Sequence, residues 1–299
     1  MTKNQEAESN DHPSLAIGVI MAGVGLLTMG DVIAKSLTEH LTPFHYVLLR
    51  SIFAFIPVMI ALQISRTWRQ LRTKRPLGQA ARGLCMATAY SCYLQALQEL
   101  PIADATAIIF SSPFIVAALS RWVLGERVPA IRWVAISLGF LGALVIVQPG
   151  TEAFRPAALW GLAGAVAAAA TGLLARRLGS TEPASVTAFY TTVAFLLTGL
   201  FPVTLIPGHW VAVTGMEVFL IAIAGLIAGT AHFLIILAYR KGEASLVAPF
   251  EYVSLFIAIA MGYVFFDDIP TPAVWVGIGL VAIAGVLLSR RGAPAPKKA

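Results

Sequence analysis

The sequence predicts an all-α integral membrane protein, with ten transmembrane helices as two inverted five-helix repeats around a central cavity. Three observations carry this. Of 299 residues, 58% are hydrophobic and 12% charged, with a mean hydropathy of +0.80; a soluble domain carries roughly 25% charged residues. Apolar stretches recur at about the 20-residue length that crosses a bilayer as a helix. Basic residues collect at alternate joints between those stretches. Transmembrane strands would be about half as long and alternate in polarity, a pattern the chain lacks.

Residues 1–13 are polar, with Glu6, Glu8 and Asp11 against Lys3. They read as a disordered cytoplasmic tail without the basic start of a signal peptide. Spans are predicted near 15–36, 44–64, 79–97, 103–124 and 131–148, then near 157–177, 185–206, 216–238, 244–266 and 273–289. Joints such as Leu41-Thr42-Pro43, Gln148-Pro149-Gly150 and Asp267-Asp268-Ile269-Pro270 separate them. The first five spans make one unit, 14–150, and the rest a second, 151–291, followed by a basic tail over 292–299. Cys85 and Cys92 stand seven apart on one predicted helix, too far to bridge each other, so neither a disulfide framework nor a cysteine metal site is expected.

Arg66, Arg69, Arg72, Lys74, Arg75 and Arg82 flank the joint between spans two and three. Arg121, Arg127 and Arg132 flank the joint after span four, Arg176 and Arg177 that after span six, and Arg240 and Lys241 that after span eight. With the tails, 18 of the 21 basic residues fall on one side. The opposite joints hold Arg155 and are otherwise acidic, with Glu39, Glu99, Asp104, Glu152, Glu217, Asp267 and Asp268. Basic joints stay cytoplasmic, so both termini are expected inside a plasma membrane of the bacterial inner type. This placement accounts for the net charge of +6 without a nucleic acid partner; the expected partners are membrane lipid and a small molecule.

A shift of 142 residues lays Trp133-Val134 on Trp275-Val276, Ser112, Phe114 and Ile115 on Ser254, Phe256 and Ile257, and Glu126 on Asp268. A shift of 141 lays Ala34-Lys35 on Ala175-Arg176. Five is odd, so the second half enters from the opposite side, as in transporters whose mirrored halves exchange two shapes. The competing reading is an old duplication in a rigid membrane protein. Pro57, Pro113, Pro202 and Pro249 lie within predicted spans, where proline removes a backbone hydrogen bond and bends or breaks the helix.

Charge at mid-membrane costs roughly 2.5–3.5 kcal/mol on the insertion scale. Asp31 and Lys35 stand four apart on one face of span one, Arg50 lies about two turns into span two, and Glu251 lies on span nine. Asp31 with Arg50 or Lys35 reads either as an ion pair stitching spans one and two or as the wall of a polar cavity. Glu251 reads as a site for a substrate ammonium group or a proton. His232 is the one histidine deep in a span, and the 142 shift sets it opposite Tyr90, which shares a helix face with Tyr93. These rings would line both halves of one cavity, against the plainer reading of packing. Ser111, Ser112 and Tyr252 complete the predicted substrate-binding set. The chain has no His-Glu-x-x-His and no Gly-x-Ser-x-Gly, so no catalytic residue, metal or cofactor is expected.

Ten spans in two halves, Ala-Thr-Ala-Ile-Ile-Phe-Ser-Ser-Pro over 105–113 followed by Gly125-Glu126-Arg127, Ala-Pro-Phe-Glu-Tyr over 248–252 leading to Asp268, and Asp31 with Arg50-Ser51 resemble the EamA family of the drug/metabolite transporter superfamily. The resemblance implies a ten-helix bundle that works by alternating access, with spans one, three, four, six, eight and nine lining its cavity. Span two would then stand outside the lining, leaving Arg50 away from the substrate. The function expected is secondary transport of small metabolites, with export of amino acids, aromatic ones included, as the narrower reading and proton coupling as an accompaniment. A polytopic membrane enzyme or a membrane sensor is the alternative.

Overall fold

A computed structural model of the chain describes residues 13–289, apart from 74, 124, 126–129, 152, 179–182, 209 and 242–247. The predicted tails, except Pro13, fall outside these residues. So do Glu126, the repeat mate of Asp268, together with Lys74, Arg127, Glu152 and His209. The first half contains α1 (Pro13–Leu37), α2 (Pro43–Ile64), α3 (Pro76–Leu97), α4 (Ile102–Ile109), α5 (Ser112–Val123) and α6 (Ala130–Val147). The second contains α7 (Ala157–Leu178), α8 (Ala184–Leu205), α9 (Gly215–Lys241), α10 (Val253–Phe266) and α11 (Pro272–Ser289). Short 3-10 turns cover Trp68–Leu71 and Ala248–Tyr252.

Among the described residues, α1, α2, the α4–α5 pair, α7, α8 and α9 are long and apolar enough to cross a bilayer, and α6, α10 and α11 are shorter apolar helices. The tenth span, α3, is the most polar of the set because it carries Gln79, Arg82, Ser91 and Gln95. The α2 sequence shows how a span divides its faces. Arg50, Ala54, Val58 and Leu62 are buried at a spacing of four, while Ile52, Ile56, Ile60 and Ile64 are exposed at the same spacing. The isoleucine row is the face lipid covers.

The repeat is visible in the element boundaries. Helices α2 and α8 each have 22 residues and are offset by 141; α6 and α11 each have 18 and are offset by 142. Span four breaks between α4 and α5 at Phe110-Ser111, and span nine breaks at the shifted position, where the 3-10 turn ending at Tyr252 gives way to α10. Pro113 sits just after the first break and Pro249 inside the 3-10 turn. Pro57 and Pro202 interrupt nothing: α2 runs through Pro57, and α8 continues past Pro202 for its last three residues.

Packing follows the same symmetry. Helix α1 lies along α9 as α7 lies along α3; α2 meets α9 as α8 meets α3; α1 meets α10 as α7 meets α5. The mates α2 and α8 pack on each other, as do α6 and α11. In the second pair a Cβ on Gly142 would sit 2.8 Å from the Gly277 carbonyl oxygen, so only small residues allow this approach. Phe110 and Tyr252, mates under the 142 shift, stack with ring centroids 4.8 Å apart.

The α4 half of span four packs on α10 and α11 and touches α1, and α1 also touches α3. At the end that carries Glu39, Glu99, Asp267 and Asp268, here called the acidic end, Lys35 meets Asp268 and His40 meets Glu217 across the two halves. These ties hold the bundle closed there.

Candidate functional site

At the centre of the bundle, side chains from six spans form one run of contacts. Asp31, on α1, accepts a hydrogen bond from the Tyr93 hydroxyl on α3 at 3.1 Å. That hydroxyl also lies 3.2 Å from the Thr106 hydroxyl on α4. One turn back along α3, the Tyr90 ring stands 6.1 Å from that of Tyr93. Arg50, on α2, donates to the Tyr90 hydroxyl at 2.6 Å and holds its guanidinium 4.2 Å from the Tyr90 ring centroid and 5.6 Å from that of Phe195. Phe195, on α8, meets Tyr90 edge-on at 5.7 Å and His232, on α9, at 6.0 Å. The His232 Nδ1 lies 2.8 Å from the Ala228 carbonyl, a contact within its own helix.

Of the eight residues predicted to bind substrate, the structure brings Asp31, Tyr90, Tyr93 and His232 into one run. The spans that carry Tyr90 and His232 are repeat mates, and Phe195 joins the two rings. Arg50 requires a correction. The resemblance implies a place outside the lining, while the residue itself also reads as a cavity wall; it is 4% exposed and turned inward. The cause is the seat of α2: a Cβ on Gly225 would lie 2.5 Å from the Arg50 carbonyl oxygen, and one on Gly229 would lie 2.7 Å from that of Ala54. These two bare positions on α9 let the α2 backbone sink in and carry Arg50 to the centre. The predicted Asp31–Arg50 ion pair does not form either; among the described residues, the ion pairs are Lys35–Asp268 and His40–Glu217. Tyr93 takes the Asp31 carboxylate, and Tyr90 takes Arg50.

Lys35 reaches away from Asp31 to the acidic end. Its Nζ donates to Asp268 at 2.9 Å and to the Leu100 carbonyl at 3.0 Å, and it lies 4.9 Å from the Phe266 ring centroid. One ammonium therefore ties α1 to the α3–α4 joint and to the α10–α11 joint. Close by, the Gln98 amide donates to the Thr38 carbonyl at 2.7 Å. His40 contacts Glu217, joining the halves again.

The remaining predicted residues lie at the helix breaks. Ser111 is fully buried, and its hydroxyl has no hydrogen-bond partner. Ser112 is half-buried at the start of α5. Glu251 is half-buried in the 3-10 turn, where its carbonyl accepts from the Ser254 hydroxyl at 2.7 Å. Tyr252 is 8% exposed, stacked on Phe110 and seated on the bare face of Gly285; these contacts are packing, separate from the Asp31 run. Sequence reasoning missed Tyr46 and Phe195. Tyr46 stands one turn before Arg50 on the same face of α2, a spacing that pointed to it. Phe195 carried no such signal.

The sequence profile of the EamA-like transporter family matches residues 14–148 and 155–290. A riboflavin transporter of Rhizobium johnstonii is 30% identical over 221 residues, covering 74% of this chain and 72% of that protein. An S-adenosylmethionine uptake transporter of Rickettsia bellii is 26% identical, covering 86% and 87%. The pseudopaline exporter CntI of Pseudomonas aeruginosa is 29% identical, covering 70% and 73%. A solved structure superposes with a TM-score of 0.67 at 21% identity, covering 93% of this chain and 98% of that one, which supports the fold. Both halves carry the family profile and together they supply ten spans: the chain belongs to the EamA-like transporter family and is a secondary transporter of small metabolites, not an enzyme.

Proposed function

We propose that this transporter works by alternating access and exports amino acids or closely related ring-bearing metabolites, with the acidic end outside and both termini in the cytoplasm. The observation that carries the substrate reading is the run Asp31–Tyr93–Tyr90–Phe195–His232, built from both halves. A carboxylate beside three ring faces suits a small molecule with a cationic amine and a flat ring. Riboflavin and S-adenosylmethionine, carried by the relatives named above, both present planar heterocycles. The relatives include an uptake transporter and an exporter. The sorting of basic residues supports the orientation. The acidic-end closure then corresponds to a state whose site is reached from the cytoplasm, where an exporter loads.

Counterflow in proteoliposomes tests the reading, with labelled phenylalanine, tryptophan, riboflavin and S-adenosylmethionine as probes. Phenylalanine or tryptophan should exchange, and Asp31→Asn should lower that exchange at least about tenfold while leaving the melting temperature of the purified protein nearly unchanged. Exchange at the wild-type rate in that variant removes Asp31 from the site. Failure of both amino acids to exchange overturns the substrate class.

A further inference from the structure

We infer that Arg50, Tyr46 and Tyr90 form a subsite for an oxyanion, so that the transported molecule is bound through a carboxylate or phosphate group. The inference deepens the transport reading above and rests on it.

The reasoning is a count of donors and acceptors. Arg50 is a permanent cation with five N–H groups. It is 4% exposed, on a helix whose opposite face meets lipid. Among the described residues it donates to the Tyr90 hydroxyl at 2.6 Å, and its Nε is buried without a partner. Among the described residues, no carboxylate lies within ion-pair distance of it, and Asp31 is held instead by Tyr93. Tyr46, fully buried one turn away on α2, brings its hydroxyl close to Arg50 and Tyr90, short of hydrogen-bond geometry to either. The Tyr90 hydroxyl accepts from Arg50, which leaves its own hydrogen to donate. The cluster thus offers a guanidinium and at least one phenolic O–H, since either phenol can accept from the other, and the described residues supply it no anionic acceptor.

A buried arginine in a membrane bundle needs compensation. The two rings beside it supply part. An oxyanion would supply the rest, through charge-assisted hydrogen bonds of the kind arginine makes to planar carboxylates. The positions of Asp31 and Arg50 fit this division: one carboxylate and one guanidinium in a single run, each engaged by a different tyrosine rather than by the other. A zwitterion would take both, with the amine toward Asp31 and the anionic group toward Arg50.

The test uses matched probes on the purified full-length protein. Thermal-shift titrations compare benzoate with benzamide, phenylalanine with phenylalaninamide, and riboflavin 5′-phosphate with riboflavin. The acid of at least one pair should stabilise the wild type and its neutral mate should not. The first two pairs read a carboxylate and the third a phosphate. Arg50→Gln should weaken the acid about 10- to 100-fold, Tyr46→Phe about fivefold, and Arg50→Lys less than Arg50→Gln. Tyr46→Phe keeps the test usable should the Arg50 variants fail to fold. Equal stabilisation by acid and neutral mate, no stabilisation by any acid, or full acid binding in both Arg50→Gln and Tyr46→Phe overturns the proposal. Acid binding without flux in proteoliposomes would refute the transport reading and leave the subsite standing; flux of neutral probes alone would do the reverse.

Discussion

Lys35→Met should free the acidic end. The side chains of Lys35 and Asp268 are 14% and 26% exposed, so the pair lies between a solvated ion pair, worth roughly 0.2–1 kcal/mol, and a buried pair whose broken half costs about 3–5 kcal/mol. The second bond, to the Leu100 carbonyl at 3.0 Å, adds about 1 kcal/mol. Asp268 can be hydrated once alone, which lowers the total, and about 1.5–2 kcal/mol is the expected net effect. Both bonds require the acidic end to be closed, since one joins α1 to the α3–α4 joint. Their loss should therefore shift the balance toward an open acidic end by roughly tenfold or slightly more, at 1.4 kcal/mol per factor of ten. The assay replaces Cys85 and Cys92, places one cysteine at Ala103, which is buried near the start of α4, and measures the rate of modification by a membrane-impermeant maleimide added outside intact cells. The Lys35→Met background should react about tenfold faster. Asp268→Asn should do part of the same, and the double variant should add little to Lys35→Met, because the two residues share one bond. A rate within twofold of the unaltered background would refute the closure reasoning, and no labelling in either background would refute the orientation.

Two further outcomes are expected. Gly225→Ala should lower the melting temperature and weaken substrate binding together, because its Cβ would meet the Arg50 carbonyl at 2.5 Å and the Phe53 Cβ at 2.6 Å. Overpacking of this kind costs about 1–3 kcal/mol, and an unchanged melting temperature would show that α2 is not seated by that contact. Glu251→Gln should reduce flux severalfold in proteoliposomes while expression and melting temperature stay near the wild type; wild-type flux would take Glu251 out of the transport cycle.

Depth along the membrane was legible in the sequence; direction around each helix was not. Residue count times helical rise fixes depth, which marks Asp31, Arg50, His232 and Glu251 as lying within the membrane, and the 142-residue shift sets His232 opposite Tyr90. The charge rule and the 141- and 142-residue offsets fixed the spans because each is a regularity over the whole chain. Azimuth is different. Helices in lipid are apolar on nearly every side, so their sequences carry little amphipathic signal. Arg50 was accordingly set outside the lining, and its inward turn depends on Gly225 and Gly229, which lie on another helix. The same holds for Lys35, whose partner Asp268 stands 233 residues away, while the nearer Asp31 shares its helix face and was the natural guess. Phe195 was illegible because one phenylalanine among many apolar residues has nothing to mark it.

The Phe110–Tyr252 stack has a consequence for how the two halves can diverge. Were the protein a dimer of identical five-helix chains, that position would face its own copy across the two-fold axis. Any substitution there would be made twice, against itself, and only a residue compatible with its own image would survive. Covalent union of the halves lifts that restriction. One partner can keep a bare phenyl ring while the other gains a phenol, so the axis becomes a place where an ancestral compromise can be resolved into two specialised residues.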